Sequence, residues 1–347
     1  MAKLLSGGLL LRSLAENPRD KDRFAEFMHE AFEEEGDWHA GPFTAWIEDL
    51  LNTHPLMSLE HIWCVVDPSA DGKLVSGLFL IPQIWRYEDI EFSVGRPEIV
   101  ATLPDYRRRG LVRELFKVLH DYSEKRGDLL QVITGIPHFY RQFGYGFTLD
   151  RGSYGQVPFY TIPQLAEDQL PRYTLRPAET ADIPTLIELD HTVTQYALLT
   201  VVRDEILWQY ELSGRRTEAF WNTEYYMVSD SEGQAVGYIG NNRNLGASNA
   251  SSLLRWVVGK GANYLETFDD MLRGIRDIVQ QQDENILTFD FSDNLHPALH
   301  QMLKRYYGVS MRERMYAWYL RIPDHVAFIK KIAPVLERRL INSVAHN

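Results

Sequence analysis

The two halves of the sequence repeat one order of strand-like and helix-like patterns. In the first half, apolar runs such as "HIWCVVD" and "KLVSGLFLIPQIWRY" precede the helical run "GLVRELFKVLHDYSEKRG". Continuous apolar runs are typical of buried strands, and apolar residues three or four positions apart are typical of helices. The order returns in the second half, where "AVGYIGNN" and "SSLLRWVV" precede "ETFDDMLRGIRDIVQQQ". This predicts an α/β fold, an α+β mixed sheet with helices on its faces, in two tandem modules.

A proline-rich run marks the boundary between the two modules. The run "GQVPFYTIPQLAEDQLP" holds three prolines and little periodicity, so residues 156–172 are predicted to be a linker. The chain then divides into a first module at 1–155, a second at 173–321 and an isolated C-terminal helix at 322–347. In the first module, "IEFSVGRPEIVATL" is expected to be one long strand with a bulge at Gly95–Pro97.

The charge and cysteine content exclude several classes of protein. Acidic residues outnumber basic ones by 48 to 36, and the net charge of -12 argues against nucleic acid as a partner, because phosphate binding needs a basic surface. Nothing approaches a run of about 18 apolar residues, so neither a membrane span nor a membrane partner is expected. The single cysteine, Cys64, excludes an internal disulfide and a cysteine-based zinc site. A cytoplasmic location is the simplest expectation.

An arginine-rich turn stands out against this acidic composition. In "VATLPDYRRRGLVREL" a strand runs into a turn that opens a helix. The N–H groups of a first helical turn lack partners, and together with the helix dipole they form a site for an anion. Gly110 lets the backbone approach a phosphate, while Arg107, Arg108, Arg109 and Arg113 add positive charge. The stretch predicts a pyrophosphate site; the alternative is a solvated, charged helix start.

A second motif, "GIPHFYRQFGYGF", follows one strand later. Tyr140 lies four positions before Gly144, which puts its hydroxyl one helical turn back from a tight corner. The aromatic residues Phe139, Phe143, Tyr145 and Phe147 could form a core cluster, and this is the interpretation taken for the three phenylalanines.

A strand, an R-x-x-G turn at a helix start, a second strand and Y-x-x-x-G-Y/F together resemble the GCN5-related N-acetyltransferase (GNAT) family over residues 1 to about 150. The motifs "VATLPDYRRRGLVREL" and "YRQFGYG", with a degenerate second copy, are most similar to the enhanced-intracellular-survival (Eis) type. This resemblance implies two fused acetyltransferase modules with acetyl-CoA bound only in the first, then a sterol-carrier-like domain. It also implies a homo-oligomer, since such relatives are often hexamers. In the second copy, "VVGKGANYLETF" lacks R-x-x-G, so no second cofactor site is expected.

The resemblance also assigns residues to the acetyl-CoA site. The strand edge that pairs with the pantetheine arm would be Val100, Ala101 and Thr102. The pyrophosphate would be wrapped, mainly by backbone amides, by Arg108, Arg109, Gly110, Leu111, Val112 and Arg113. Gly135 and Ile136 would line the far side of the thioester pocket, and Tyr140 would be the general acid. Val112 departs from the general pattern, which has glycine or alanine there, but the Eis type carries larger residues at that position.

The implied mechanism is direct transfer from acetyl-CoA to an amine. An amide of the 100–102 strand would stabilise the oxyanion, and Tyr140, with an unperturbed pKa of about 10, would protonate the departing thiolate. The base stays open at this stage. Glu98 is a candidate through water, although strand alternation could aim it outward, and close relatives use their C-terminal carboxylate. Here the chain stops at Asn347, so either the sequence is truncated or a shorter variant uses another base.

Two further sets of residues allow a functional and a structural interpretation. Cys64 could accept an acetyl group, but its apolar neighbours favour a core position. His296 and His300 lie four positions apart, yet no third ligand is near in sequence, so no metal is expected.

The acidic stretch "FEEEGDWH" at residues 32–39 falls in the link between the first two predicted helices, which the resemblance implies would border the acceptor pocket. It is either a solvated helix end or an attractor of a cationic substrate such as a polyamine or an aminoglycoside. Aromatic walls for the same pocket could come from Trp38, Phe43, Trp46 and Trp85.

The sequence therefore predicts an acetyl-CoA-dependent N-acetyltransferase. Its acceptor would be a primary amine of a small molecule, aminoglycoside-like or polyamine-like, or of a lysine. The alternative is a non-catalytic acyl-CoA-binding or regulatory module.

Overall fold

The computed structural model describes residues 2–33, 40–149, 153–245, 249–292, 296–309, 312–313 and 318–344. The helices in this part of the chain are α1 Asp20–Glu33, α2 Ala40–Asn52, α3 Leu111–Arg126, α4 Ile183–His191, α5 Glu205–Gln209, α6 Tyr264–Gln282, α7 Pro297–Tyr307 and α8 His325–Ile341. The strands are β1 Lys3–Leu4, β2 Leu10–Ser13, β3 Ile62–Asp67, β4 Lys73–Tyr87, β5 Ile90–Thr102, β6 Leu130–Ile133, β7 Gly146–Leu149, β8 Ser153–Pro158, β9 Thr174–Pro177, β10 Leu199–Val201, β11 Glu224–Ser229, β12 Ala235–Asn242, β13 Ala250–Val258, β14 Thr288–Ser292, β15 Arg312–Glu313 and β16 Trp318–Arg321. None of the helices described is long and apolar enough to cross a membrane.

The first compact unit comprises Met1–Asp150, Leu198–Val202 and Tyr316–Asn347. Its sheet has the order β1-β2-β3-β4-β5-β6-β16-β7, with β10 paired to β4. Neighbouring strands run antiparallel, but β5 and β6 run parallel. A parallel pair needs a crossover connection, and α3 provides it.

Helix α3 is bracketed by two glycines in the left-handed conformation. Gly110 precedes the helix with a φ of 78°, and Gly127 ends it with a φ of 88°. A glycine is favoured at such a helix end because it has no β-carbon to clash. The buried residues of the helix recur at helical spacing: Leu111, Leu115, Phe116, Leu119 and Ser123. Burial of each large apolar side chain among them contributes roughly 1.5–3 kcal/mol to stability.

The bulge in β5 lies at Ile99–Val100. Gly77 pairs with Ala101 and Phe79 with Glu98, so two residues of β5 oppose the single residue between them on β4. The prediction of a bulge at Gly95–Pro97 was wrong, because that stretch stays in register with β4. Proline needs no ladder hydrogen bond on an unpaired strand edge, so it can occupy a regular strand without a bulge.

The strand pairing divides the chain differently from the predicted boundaries. β8 begins at 153 and continues into the predicted linker, where it pairs with β14 and β15 of the second sheet. β16 lies in the predicted second module, but it pairs with β6 and β7 of the first sheet. Strand edges need hydrogen-bond partners, and a distant segment supplies them in both sheets.

The second compact unit comprises Arg151–Ala197 and Arg203–Met315. Its sheet has the order β15-β8-β14-β13-β12-β11-β9, and the parallel pair β13–β14 is joined by α6. A core that includes Trp256, Phe268 and Phe289 packs between this sheet and α6. The arrangement repeats that of the first unit, which confirms the predicted mixed α/β fold.

The C-terminal helix α8 is part of the first unit, so its prediction as an isolated helix was wrong. Ile332 is buried, and the ring of Phe328 lies 5.8 Å from that of Phe92 on β5. Arg339 Nε donates to Glu88 Oε1 over 2.7 Å. Part of the apolar face, at Phe328 and Ile332, therefore packs against the first sheet, whereas Ile329 and Leu340 stay exposed.

Candidate active site

The edge of β5 that follows Gly95 is open on one side. β5 and β6 pair at Val94–Leu130 and at Gly95–Gln131, and within the described residues this pairing goes no further. β5 continues to Thr102, held on its other edge by β4, where Ser76 Oγ donates to the carbonyl of Ala101 over 3.0 Å. The predicted pantetheine edge, Val100, Ala101 and Thr102, lies on this open stretch.

The bulge strains the middle of the open stretch. Ile99 has a φ of 51°, and the left-handed region is costly for a β-branched residue. Such strain persists only where the surrounding fold imposes it, and it often occurs at functional sites. Because a bulge turns the local peptide groups, it re-aims the backbone amide of Val100 relative to a regular strand.

The arginine turn presents unpaired amides at the start of α3. Arg108 and Gly110 are both left-handed, with φ of 62° and 78°. The amide of Glu114 donates to the carbonyl of Gly110, so the helical amides before it, including those of Leu111 and Val112, have no acceptor in the helix. A β-carbon at Gly110 would have no atom within 4 Å, so the space beside the turn is free for an anion.

The arginine side chains of the turn have different partners. Arg107 Nε donates to the carbonyl of Thr102 over 3.2 Å. Arg109 lies 4.6 Å above the ring of Tyr106 and donates to a backbone carbonyl. Arg113 donates to a glutamine side chain, and Arg108 makes no hydrogen bond or ion pair within the described chain. The side chain of Arg108 is thus available to a ligand, whereas Arg107 and Arg109 also hold the turn in shape.

Tyr140 lies in a short 3₁₀ helix, Phe139–Phe143, after β6. Its side chain is 6% exposed, and its ring packs 5.8 Å from that of Phe116 on α3. A β-carbon at Gly135 would lie 3.3 Å from the Tyr140 hydroxyl, so these two predicted residues are in contact. Ile136, the next predicted residue, is 63% exposed.

The pKa of Tyr140 lies well above the ordinary value of 10. Burial is the main cause, and the negative charge of Glu98 and the proximity of Tyr319 add to it. The expectation of an unperturbed phenol was therefore wrong, because desolvation disfavours the phenolate. Tyr140 remains protonated throughout the neutral pH range.

The side chain of Glu98 points into the protein. The carboxylate is nearly buried and accepts two hydrogen bonds from the guanidinium of Arg96, one of them from Nε over 2.9 Å. Arg96 in turn lies 5.1 Å above the ring of Trp318. The alternative in which strand alternation aims Glu98 outward was wrong.

Residues 13–148 match the model of the acetyltransferase (GNAT) domain. The fold is that of the GNAT acetyltransferases. No curated protein matches the sequence.

Solved structures of the same fold cover nearly the whole chain. A probable N-acyltransferase of unknown function from Enterococcus faecalis V583 has a TM-score of 0.67 at 16% identity, over 93% of this chain and 75% of that one. A GCN5-related N-acetyltransferase from Anabaena variabilis ATCC 29413 has a TM-score of 0.62 at 15% identity, over 90% and 73%. Eis1 from Mycobacterium abscessus has a TM-score of 0.56 at 15% identity, over 92% and 75%. The resemblance seen in the motifs is confirmed: these structures share the fold, and the match to the family model indicates acyl transfer.

The candidate aromatic walls occupy separate places in the GNAT fold. Trp85 is buried and lies edge-on to Trp318, with ring centroids 6.4 Å apart, on the side where Arg96 also lies. Phe43 and Trp46 are buried against each other on α2, 5.9 Å apart. Trp38 and most of the acidic stretch, residues 34–39, lie outside the described residues.

The remaining candidates have structural surroundings. Cys64 is fully buried in β3, and burial raises the pKa of its thiol to about 12, so its core position is confirmed. His296 Nδ1 accepts the amide of Ala298 and caps α7. Tyr264, the first residue of α6, stacks on the His296 ring at 4.3 Å. In the parts of the chain described, no group of three histidine, cysteine or acidic side chains could hold a metal.

Sequence reasoning missed three residues of the site: Arg96, Trp318 and Tyr319. Arg96 carried a usable signal, because it lies two positions from Glu98 on the same strand and therefore on the same face. The other two are on β16, far along the chain, and no local pattern connects them to Tyr140.

Proposed function

We propose that this chain is an acetyl-CoA-dependent N-acetyltransferase that acts by direct transfer. The acceptor is a primary amine of a small molecule, aminoglycoside-like or polyamine-like, or of a lysine. The observation that carries the proposal is the position of the Tyr140 hydroxyl, which lies against Gly135 at the end of β6. A protonated phenol is thus held beside the open edge of β5.

The residues present fit acetyl-CoA. The amides of Gly110, Leu111 and Val112 and the free side chain of Arg108 suit a pyrophosphate, because the turn is left-handed, open and at a helix start. The unpaired edge of β5 suits a pantetheine arm, since extended amide chains add to open strand edges as a further strand does. When bound, acetyl-CoA supplies an acetyl group activated as a thioester.

The backbone of the bulge and the side chain of Tyr140 divide the work of acyl transfer. The amide of Val100 donates a hydrogen bond to the carbonyl oxygen as negative charge develops on it. As the new N–C bond forms and the C–S bond breaks, Tyr140 gives its proton to the departing sulfur.

Glu98 receives the proton that the amine loses, directly or through water. It is the carboxylate whose charge acts on Tyr140, so the proposed acid and base share one site. Arg96 holds the carboxylate in position through its two hydrogen bonds.

The test is release of free CoA thiol from acetyl-CoA across a panel of aminoglycosides, polyamines and lysine peptides. Tyr140→Phe is expected to lower kcat about 100-fold, the usual scale of general acid catalysis, while keeping acetyl-CoA binding. Tyr145→Phe is the matched control, because Tyr145 is another buried tyrosine of the same aromatic cluster. Acetyl-CoA binding by calorimetry without turnover on any amine would instead indicate a binding module. Equal rates for wild type and Tyr140→Phe would remove Tyr140 as the acid.

A further inference from the structure

A strand from the far end of the chain lies beside the proposed site. β16 is inserted between β6 and β7, where Tyr319 pairs with Ile133 on one side and with Phe147 on the other. The Tyr319 side chain is completely buried. Pairing on both edges fixes the backbone of Tyr319 and therefore the direction in which its side chain leaves the sheet.

The ring of Tyr319 packs against the proposed acid. Its centroid lies 5.5 Å from that of Tyr140, with the ring planes at 71°. On another side it stacks on Phe147, with centroids 4.2 Å apart. Edge-to-face and stacked pairs at these distances favour a defined orientation, so Tyr140 has a rigid neighbour.

The hydroxyl of Tyr319 holds the loop beside the Tyr140 ring. It donates to the carbonyl of Ile136 over 3.1 Å. Ile136 follows Gly135, whose α-carbon lies against the Tyr140 ring. The side chain of Ile136 is mostly exposed and provides little packing, so the hydrogen bond to its carbonyl is an important restraint on this loop.

We infer that Tyr319 is a positioning residue for acyl transfer: through its ring it orients Tyr140, and through its hydroxyl it fixes the Gly135–Ile136 loop. The inference rests on the proposed function, because it concerns the same site. It assigns a part of that site to a residue 183 positions after Ile136 in the chain.

The effect is expected in kcat more than in KM. The Tyr140 proton is needed only as the sulfur departs. A misplaced hydroxyl therefore reduces stabilisation of the transition state and leaves substrate binding unchanged. Tyr319→Phe keeps the ring and its stacking but removes the hydrogen bond to Ile136. Since one ordinary hydrogen bond contributes on this scale, we expect kcat to fall about fivefold, with KM for acetyl-CoA changed less than about twofold.

The experiment compares wild type, Tyr319→Phe and Tyr226→Phe in two measurements. The first is kcat and KM with acetyl-CoA and the best amine. The second is amide hydrogen exchange of the segment 134–143 in the protein without substrates. Tyr226 is the matched control, because it is a buried tyrosine of the second unit whose hydroxyl donates to Glu224 over 2.8 Å.

The expected result is a lower kcat and faster exchange of 134–143 in Tyr319→Phe alone. Unchanged exchange of this segment, or equal kcat in the two variants, would overturn the inference. If wild type shows no turnover with any amine, the proposed function fails. The exchange measurement then still decides whether Tyr319 holds the loop.

Discussion

The ring and hydroxyl of Tyr140 occupy the space beside Gly135 where a side chain would otherwise lie. A β-carbon at Gly135 would lie 3.3 Å from that oxygen and 3.0 Å from the ring. Gly135 also has a φ of 138°, a conformation that side chains rarely adopt. The position therefore requires glycine for two reasons: its backbone conformation, and the space that the Tyr140 ring occupies.

Gly135→Ala tests this contact. We expect turnover to fall about tenfold or more, because the new methyl group displaces the Tyr140 hydroxyl by a few tenths of an ångström or more, and misplacement on an ångström scale costs about 100-fold. Gly261→Ala is the control, since Gly261 has a φ of 95° but nothing within 4 Å of a β-carbon. Steady-state rates and melting temperatures separate the two effects. Equal losses of rate in both variants would mean that backbone strain alone matters.

Gly110→Asp tests the pyrophosphate turn. The free space takes an aspartate side chain without a clash, and aspartate is one of the few residues besides glycine that adopt a left-handed φ, at some cost in strain; its carboxylate repels a phosphate. We expect acetyl-CoA binding by calorimetry to be lost while the melting temperature is retained. Gly110→Asn has a similar shape and backbone preference without the charge, so it should keep most of the affinity. Unchanged affinity in Gly110→Asp would rule out this turn as the phosphate site.

Glu98→Gln tests the proposed base. Removal of the carboxylate should lower kcat/KM for the amine about 100-fold, because general base catalysis contributes on that scale, with acetyl-CoA affinity unchanged. Glu91→Gln is the control: Glu91 is on the same strand and is likewise bound to an arginine, Arg86. If the two variants retain equal rates, the amine loses its proton to another group.

His120 should make the first unit less stable in acid. Burial, and then the charge of Arg321, lower the pKa of His120 from 6.5 to about 4. Between these values the unfolded chain binds more protons than the folded one, so the free energy of unfolding falls as pH falls from 6.5 toward 4.

We therefore expect the melting temperature of His120→Gln to fall less than that of wild type when the pH is lowered from 7 to 4.5. His325→Gln changes an exposed histidine at the start of α8 and should behave as wild type. Parallel melting curves for wild type and His120→Gln across this range would contradict the assignment.

Several parts of the site could be predicted because they are encoded locally. Gly110, at the start of α3, and Gly127, at its end, identify a helix with an open N-terminus from the sequence alone. Tyr140 follows from its fixed distance to Gly144, which sets the corner after the 3₁₀ helix. In both cases a backbone conformation that favours glycine fixes the chain over a few residues.

Other features could not be predicted because they depend on strand pairing. The bulge at Ile99–Val100 has no glycine or proline to indicate it; it exists because of the register with β4. The pKa of Tyr140 is set by burial, which needs the whole of the first unit. The sheet membership of β8 and β16 could not be predicted, since they find partners that no local pattern identifies.

The sequence by itself determined the mixed α/β character, the arginine turn and the place of Tyr140 before a glycine corner. Periodicity and glycine positions act over a few residues, and the chain carries them wherever it folds. Only the tertiary structure decided that Tyr319 lies beside Tyr140, that Glu98 points inward and that the phenol stays protonated. These depend on burial and on pairing between segments far apart in sequence, which become defined only when the sheet is complete.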